Sequence, residues 1–215
     1  MKIAELDTPV AICHLDRFRQ NVQRLQNYLD EHGIDNRPHI KTHKIPQFAR
    51  WQMEAGAVGI TCQKLGEVEV MAQGKIENVF LPYNLLGRSK LDRLVRLSRS
   101  IEISVTTDSE VVAEGLSSAV ESAGETLTVL VEFDTGIGRC GVQSPREAFD
   151  LAQRIESLPG IEFGGLMTYP LNEHTDLFVR ETRGLLEPAG IGADGRHVVQ
   201  VAEYGHAALV GPRAD

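Results

Sequence analysis

Two lysines and two histidines lie within six residues in segment 37–44, which reads RPHIKTHK. Lys41 lies at the predicted end of a short strand, where the loops of parallel βα folds form active sites. A lysine that reacts with an aldehyde must be deprotonated near neutral pH, and burial or neighbouring cations favour that state. Lys44 is such a neighbour, and His39 and His43 are close in sequence. The segment therefore predicts covalent chemistry at Lys41; the alternative is a solvated basic loop.

A glycine-rich segment at 132–141, EFDTGIGRCG, matches the GxGxxG spacing of dinucleotide-binding loops. In that motif the helix begins within the glycines, whereas a capping sequence here predicts a helix start later, at Ser144. The next strand ends in Tyr169 and not in the acid that would bind a ribose. We interpret the glycines as a loop that directs the positive charge of Arg139 towards the strand ends. The alternative is a loop that only turns the chain.

Two further strand ends carry side chains suited to a ligand. In segment 164–170, GGLMTYP, Tyr169 comes at the end of a predicted strand, and its ring could pack against a planar cofactor, although such a tyrosine is more often a core or rim residue. Gln63 follows another predicted strand and offers a polar group at the same edge. We interpret Glu67 and Asp108 as solvated helix-face or cap residues.

The elements that would position these residues alternate between short apolar strands and amphipathic helices, at roughly 20 to 35 residues per unit. The predicted strands begin at Thr8 and cover 37–41, 57–62, 78–83, 101–106, 127–133 and 161–168. The sequence therefore predicts an α/β fold, and in particular a (β/α)₈ TIM-type barrel that is incomplete at the C-terminus, since such a barrel has eight strands. An open doubly wound sheet is the alternative.

Composition excludes several classes of function. The chain has 215 residues, 42% of them hydrophobic and 24% charged, which fits a globular protein with one core. Its formal net charge of -8 argues against nucleic acid or an anionic membrane as the main partner. Acidic Glu5 and Asp7 come too early for a secretory signal, and three cysteines without metal-type spacing predict reduced thiols in a cytoplasmic protein.

Together, segments 37–44, 56–64, 134–141 and 165–170 resemble the D-threonine aldolase and D-serine dehydratase family. The pyridoxal 5'-phosphate (PLP) barrel of that family resembles the N-terminal domain of alanine racemase. The resemblance implies that Lys41 binds PLP covalently. It also implies that Arg139 lies near the phenolic oxygen of the cofactor, that Tyr169 packs on or near its ring, and that His39 and Gln63 line the pocket.

The same resemblance implies a lyase that acts on small D-3-hydroxy amino acids. Three alternatives stay open: an amino-acid racemase, a non-catalytic PLP-binding protein that regulates cofactor supply, and a fragment that folds poorly alone. A homodimer is an open alternative for its assembly.

The resemblance ends at Pro170. The family continues with a glycine-pair loop for the cofactor phosphate and a β domain that carries ligands for a divalent metal, and we find neither in segment 171–215. We therefore expect a PLP-binding βα barrel domain at 1–190, a divergent segment at 191–215, no C-terminal β domain and no metal ligands in this chain.

Overall fold

The structure, a computed structural model, describes residues 2–192 and 198–201. It contains one parallel sheet in which every strand pairs with the next along the chain. Its strands are β1 (Ile60–Thr61), β2 (Asn78–Leu81), β3 (Glu102–Thr107), β4 (Leu127–Phe133), β5 (Ile161–Thr168) and β6 (Val198–Val201).

Helices precede and connect these strands. They are α1 (Leu15–Glu31), α2 (Pro46–Glu54), α3 (Leu65–Gln73), α4 (Arg88–Ser98), α5 (Glu110–Glu121), α6 (Pro145–Ser157) and α7 (Thr175–Leu186). Short 3₁₀ helices cover Ile3–Glu5, Ile40–Thr42 and Glu187–Ala189.

The strand order confirms a TIM-type βα fold and excludes a doubly wound sheet. In a doubly wound sheet the strand order reverses at a switch point, but here it runs from β1 to β6 without reversal. Successive residues of a strand face opposite sides. Val79 and Val105 on one side pack with helix residues in the main core, whereas Phe80, Leu130 and Met167 on the other side form a separate cluster with Tyr169. The helices therefore cover one face, as they do outside a barrel.

Five of the predicted strands are confirmed, from β1 to β5, and the ends of β4 and β5 agree to the residue. Segment 37–41 is reduced to one bridge between His39 and Thr61. Pro38 has no amide hydrogen, and the amide of Lys41 turns to the ring of His39 instead of continuing the ladder.

The strand predicted from Thr8 is wrong. Val10 and Ile12 are 49% and 50% exposed, so this apolar run has no strand partner within the described part of the chain. Conversely, the sequence analysis missed β6, which lies inside the segment interpreted as divergent and pairs with β5. The domain boundary near residue 190 stays a prediction.

All strands point the same way, so the residues that follow them lie at one edge of the sheet. This edge carries Gln63 after β1, Asn84 after β2, Asp108 after β3, the loop 134–141 after β4 and Tyr169 after β5. We call it the carboxyl edge. Within the residues that the structure describes, none of the helices combines the length and apolar character needed to cross a bilayer.

The core between sheet and helices should dominate the stability of the fold. On α5, Leu116 is fully buried, whereas Val111 is 71% exposed. We expect Leu116→Ala to lower the free energy of unfolding by about 2–5 kcal/mol, through lost burial and the cavity left behind. Val111→Ala on the same helix should leave it unchanged or slightly higher, because alanine is the better helix former. Urea titration followed by circular dichroism measures both; equal losses would contradict the assignment of the helix faces.

Candidate functional site

Lys41 and His39 are joined at the start of the loop that leaves the sheet. The backbone amide of Lys41 donates to Nδ1 of His39 over 3.2 Å, and Nε2 of His39 lies 3.3 Å from Oε1 of Gln63. These contacts fix the tautomer, because Nδ1 accepts and Nε2–H donates. Burial, helped by the positive charge of Lys41, lowers the pKa of His39 to about 4. His39 is therefore neutral at physiological pH and adds no charge beside Lys41.

The charge of Lys44 is compensated by a buried acid. Its ammonium contacts the carboxylate of Glu67, which also accepts the backbone amide of Gln63 over 2.8 Å. Burial alone would raise the pKa of Glu67, but these hydrogen bonds outweigh it and hold the pKa below its ordinary value. The interpretation of Glu67 as a solvated residue is wrong: it is 6% exposed and ties the Lys41 loop to α3.

Arg139 and Lys41 meet at the ring of Tyr169. The guanidinium carbon of Arg139 lies 5.0 Å from the ring centroid and Nζ of Lys41 lies 5.7 Å from it. Tyr169 packs against the cluster of Phe80, Leu130 and Met167. The structure therefore brings Lys41, Arg139 and Tyr169 together at one edge of the sheet, and their roles stay predictions.

The glycine loop does not have the geometry of a dinucleotide-binding fingerprint. α6 begins at Pro145 and is capped by Ser144, whose side chain accepts from the amide of Glu147 over 3.2 Å. The three glycines of the motif therefore lie outside the helix. Gly141 has φ +107°, and a Cβ there would come within 2.5 Å of the backbone of Phe133 and Asp134. Only glycine therefore lets the end of this loop approach the backbone at the end of β4.

Glu132, the second-last residue of β4, is a residue that the sequence analysis missed. One of its oxygens lies 3.5 Å from Arg139 and accepts the thiol of Cys140 over 2.9 Å. Burial raises the pKa of Glu132 above its ordinary value although Cys140 and Arg139 oppose the shift. Burial and the contact with Glu132 raise the pKa of Cys140 to about 11. The cluster places a buried acid directly behind Arg139.

Asp108 is also more than the solvated cap residue predicted for it. Its carboxylate accepts the side-chain amide of Asn84 over 2.8 Å and the backbone amide of Gly141 over 2.9 Å. Asn84, Asp108 and Gly141 belong to three consecutive loops of the carboxyl edge. The available signal in the sequence is position, since Asp108 directly follows a strand, as Tyr169 does.

The described part of the chain, 2–192 and 198–201, holds no group of three His, Cys, Asp or Glu side chains placed to bind a metal ion. Residues 193–197 and 202–215, which belong to the segment without a recognisable phosphate loop, lie outside the described residues. Cys13, Cys62 and Cys140 carry no disulfide.

Comparison with known proteins gives consistent matches. The profile of the alanine racemase N-terminal domain matches residues 13–186. The D-threonine aldolase of Arthrobacter sp. is 38% identical over 78% of this chain and 44% of its own length. The 3-hydroxy-D-aspartate aldolase of Paracoccus denitrificans is 33% identical over 83% of this chain and 47% of its own.

A solved structure also matches this chain. The D-threo-3-hydroxyaspartate dehydratase of Delftia sp. HT23 superposes with a TM-score of 0.78 at 28% identity, over 92% of this chain and 55% of that one. The chain thus spans about half the length of the relatives it matches. With its consecutive parallel strands and its lysine, arginine and tyrosine at the carboxyl edge, this chain belongs to the alanine racemase N-terminal domain family.

Proposed function

We propose that this chain is the PLP-binding part of a lyase that acts on D-3-hydroxy amino acids. The observation that carries the proposal is the contact of Lys41 and Arg139 with the ring of Tyr169. An amine, a fixed cation and an aromatic ring at one place match the three chemical features of PLP: an aldehyde, an anionic oxygen and a flat ring. The names of the aldolase and dehydratase relatives support the substrate class.

The polar groups around Lys41 also fit this cofactor. The neutral ring of His39, held by Gln63, offers hydrogen bonding without a second positive charge. Lys44 is paired with Glu67, so we do not expect it to compete with Lys41 for the aldehyde. We assign no residue to the cofactor phosphate, and the described residues contain no cluster of ligands for the divalent metal of the family. The cytoplasmic location stays a prediction.

Each of these residues has one task in the mechanism that we propose. Nζ of Lys41 would hold the cofactor covalently through its aldehyde group, and as a free amine it would serve as a base towards Cα of a bound substrate. Arg139 holds the anionic oxygen in place with a charge that does not titrate. Tyr169 excludes water from its side of the pocket. When bound, PLP supplies an electron sink for the charge that develops at Cα.

The first test concerns Lys41. With PLP, the purified protein should show visible yellow absorbance, and borohydride should fix the cofactor on the peptide that contains Lys41. Lys41→Ala should abolish the absorbance, because no other amine is placed beside Tyr169 and Arg139 in the described site. Exposed Lys64→Ala serves as the control and should retain it. Label on a peptide with Lys44 or Lys64 would contradict the assignment.

The second test concerns the other two residues at the ring. Arg139→Ala should raise the Kd for PLP about tenfold or more, since a hydrogen bond to a charged group contributes about 1.5–3 kcal/mol. Tyr169→Ala should also weaken binding, and Tyr169→Phe, which keeps the ring, should restore most of it. Arg146→Ala removes an arginine of α6 whose side chain is 68% exposed and should leave the Kd unchanged. Wild-type affinity in both alanine variants would disprove the arrangement.

The third test concerns the substrate class. With PLP and Mn²⁺, D-threonine and 3-hydroxy-D-aspartate should change the visible spectrum, whereas their L-forms should not. We expect slow, Lys41-dependent aldehyde or keto-acid release, because metal ligands are missing from the described residues and lost orientation costs up to about 7–11 kcal/mol of the barrier. Interconversion of D- and L-alanine would favour the racemase alternative. PLP binding without response to any amino acid would favour the non-catalytic alternative.

A further inference from the structure

The loop that carries Arg139 is anchored near its start, where the Thr135 hydroxyl donates to the carbonyl of Pro170 over 2.8 Å, and Arg139 itself contacts Glu132. Residues 136–139 are exposed, and Gly136 and Gly138 have positive φ angles. Inside the loop, the carboxylate of Asp134 accepts the amide of Gly138 over 3.0 Å. At its base, backbone hydrogen bonds join Val142 to Glu132 and Asp134. The backbone at Arg139 is better defined if the far end of the loop is also tied to a rigid neighbour.

Asp108 supplies a tie of this kind from the neighbouring strand. One carboxylate oxygen accepts the amide of Gly141, the residue where the loop closes. The other oxygen accepts Nδ2 of Asn84, whose own side-chain oxygen accepts the backbone amide of Asp108 over 3.3 Å. Two hydrogen bonds thus fix Asp108 to the loop after β2. Its hydrogen bond to the Gly141 amide in turn fixes the loop after β4.

Gly141 is a suitable point for this tie. Its φ of +107° and the absence of room for a Cβ define its backbone closely, and Arg139 is two residues away. A shift of the Gly141 amide would move Arg139 relative to both Glu132 and the ring of Tyr169. No contact between Asp108 and the guanidinium is needed for this effect.

We propose that Asp108 is the positioning residue for Arg139, and that it acts by binding the Gly141 amide from the loop after β3. Where PLP affinity is measured, the inference rests on the proposed function; the order of the loop itself is independent of it. Asp108→Ala removes both accepted hydrogen bonds. Asp108→Asn keeps one acceptor oxygen and should retain part of the effect.

The first measurement needs no cofactor. Trypsin cleaves after arginine, so the rate of cutting after Arg139 reports how firmly the loop is held. We expect Asp108→Ala to accelerate this cut about tenfold relative to cuts elsewhere, with Asp108→Asn in between. Asp92→Ala removes a 58%-exposed acid of α4 and should change nothing. An unchanged rate at Arg139 in Asp108→Ala, with circular dichroism like that of the wild type, would overturn the proposal.

The second measurement is a double-mutant cycle on the Kd for PLP. Asp108→Ala should weaken binding about tenfold in the wild type but less than about twofold in Arg139→Ala, because a residue that acts through Arg139 has no effect without it. Additive losses would mean a general structural role and would overturn the proposal. If the wild type fails to bind PLP, the proposed function fails, and the trypsin measurement still decides the role of Asp108.

Discussion

Parallel pairing brings the carboxyl ends of β1 to β5 to one edge of the sheet, and the candidate site is assembled at that edge. Lys41, Gln63, Asp108, Arg139 and Tyr169 are far apart along the chain, and each follows a strand or the short bridge at His39. The hydrogen-bond ladder fixes the strands relative to one another, so it also fixes the starting points of the loops. Short loops then need only one or two side-chain contacts to hold a functional group in place.

Buried acids supply several of those contacts. Glu67 binds Lys44 behind the Lys41 loop, and Glu132 lies behind Arg139. Both acids are nearly inaccessible to solvent. A buried charge is tolerated only when it is paired, so each acid favours one position of its basic partner. The exposed ends of the basic residues are thereby directed by groups that a ligand would not touch.

The sequence predicts most of the strands, but it does not predict the acids that connect the loops of the site. Apolar runs locate β1 to β5 because these strands are mostly buried on both faces, and Ser144 marks the start of α6 through its cap. Segment 37–41 and the run from Thr8 look like strands but pair through one bridge or not at all, because pairing depends on partners that local pattern does not reveal. The sequence interpretation of Asp108 and Glu67 is wrong for the same reason: an acid near a strand end is recognisable as a link between loops only once its partner across the fold is known.

The protonated state of Cys140 has a consequence for chemical selectivity. An aldehyde that reaches the carboxyl edge meets two kinds of nucleophile, amines and thiols, and thiolates are intrinsically the stronger. With its pKa raised to about 11 by burial and Glu132, Cys140 is a thiolate in only about one molecule in ten thousand at pH 7. The same carboxylate that holds Arg139 therefore also suppresses the competing sulfur, and the site discriminates between nucleophiles before any ligand arrives.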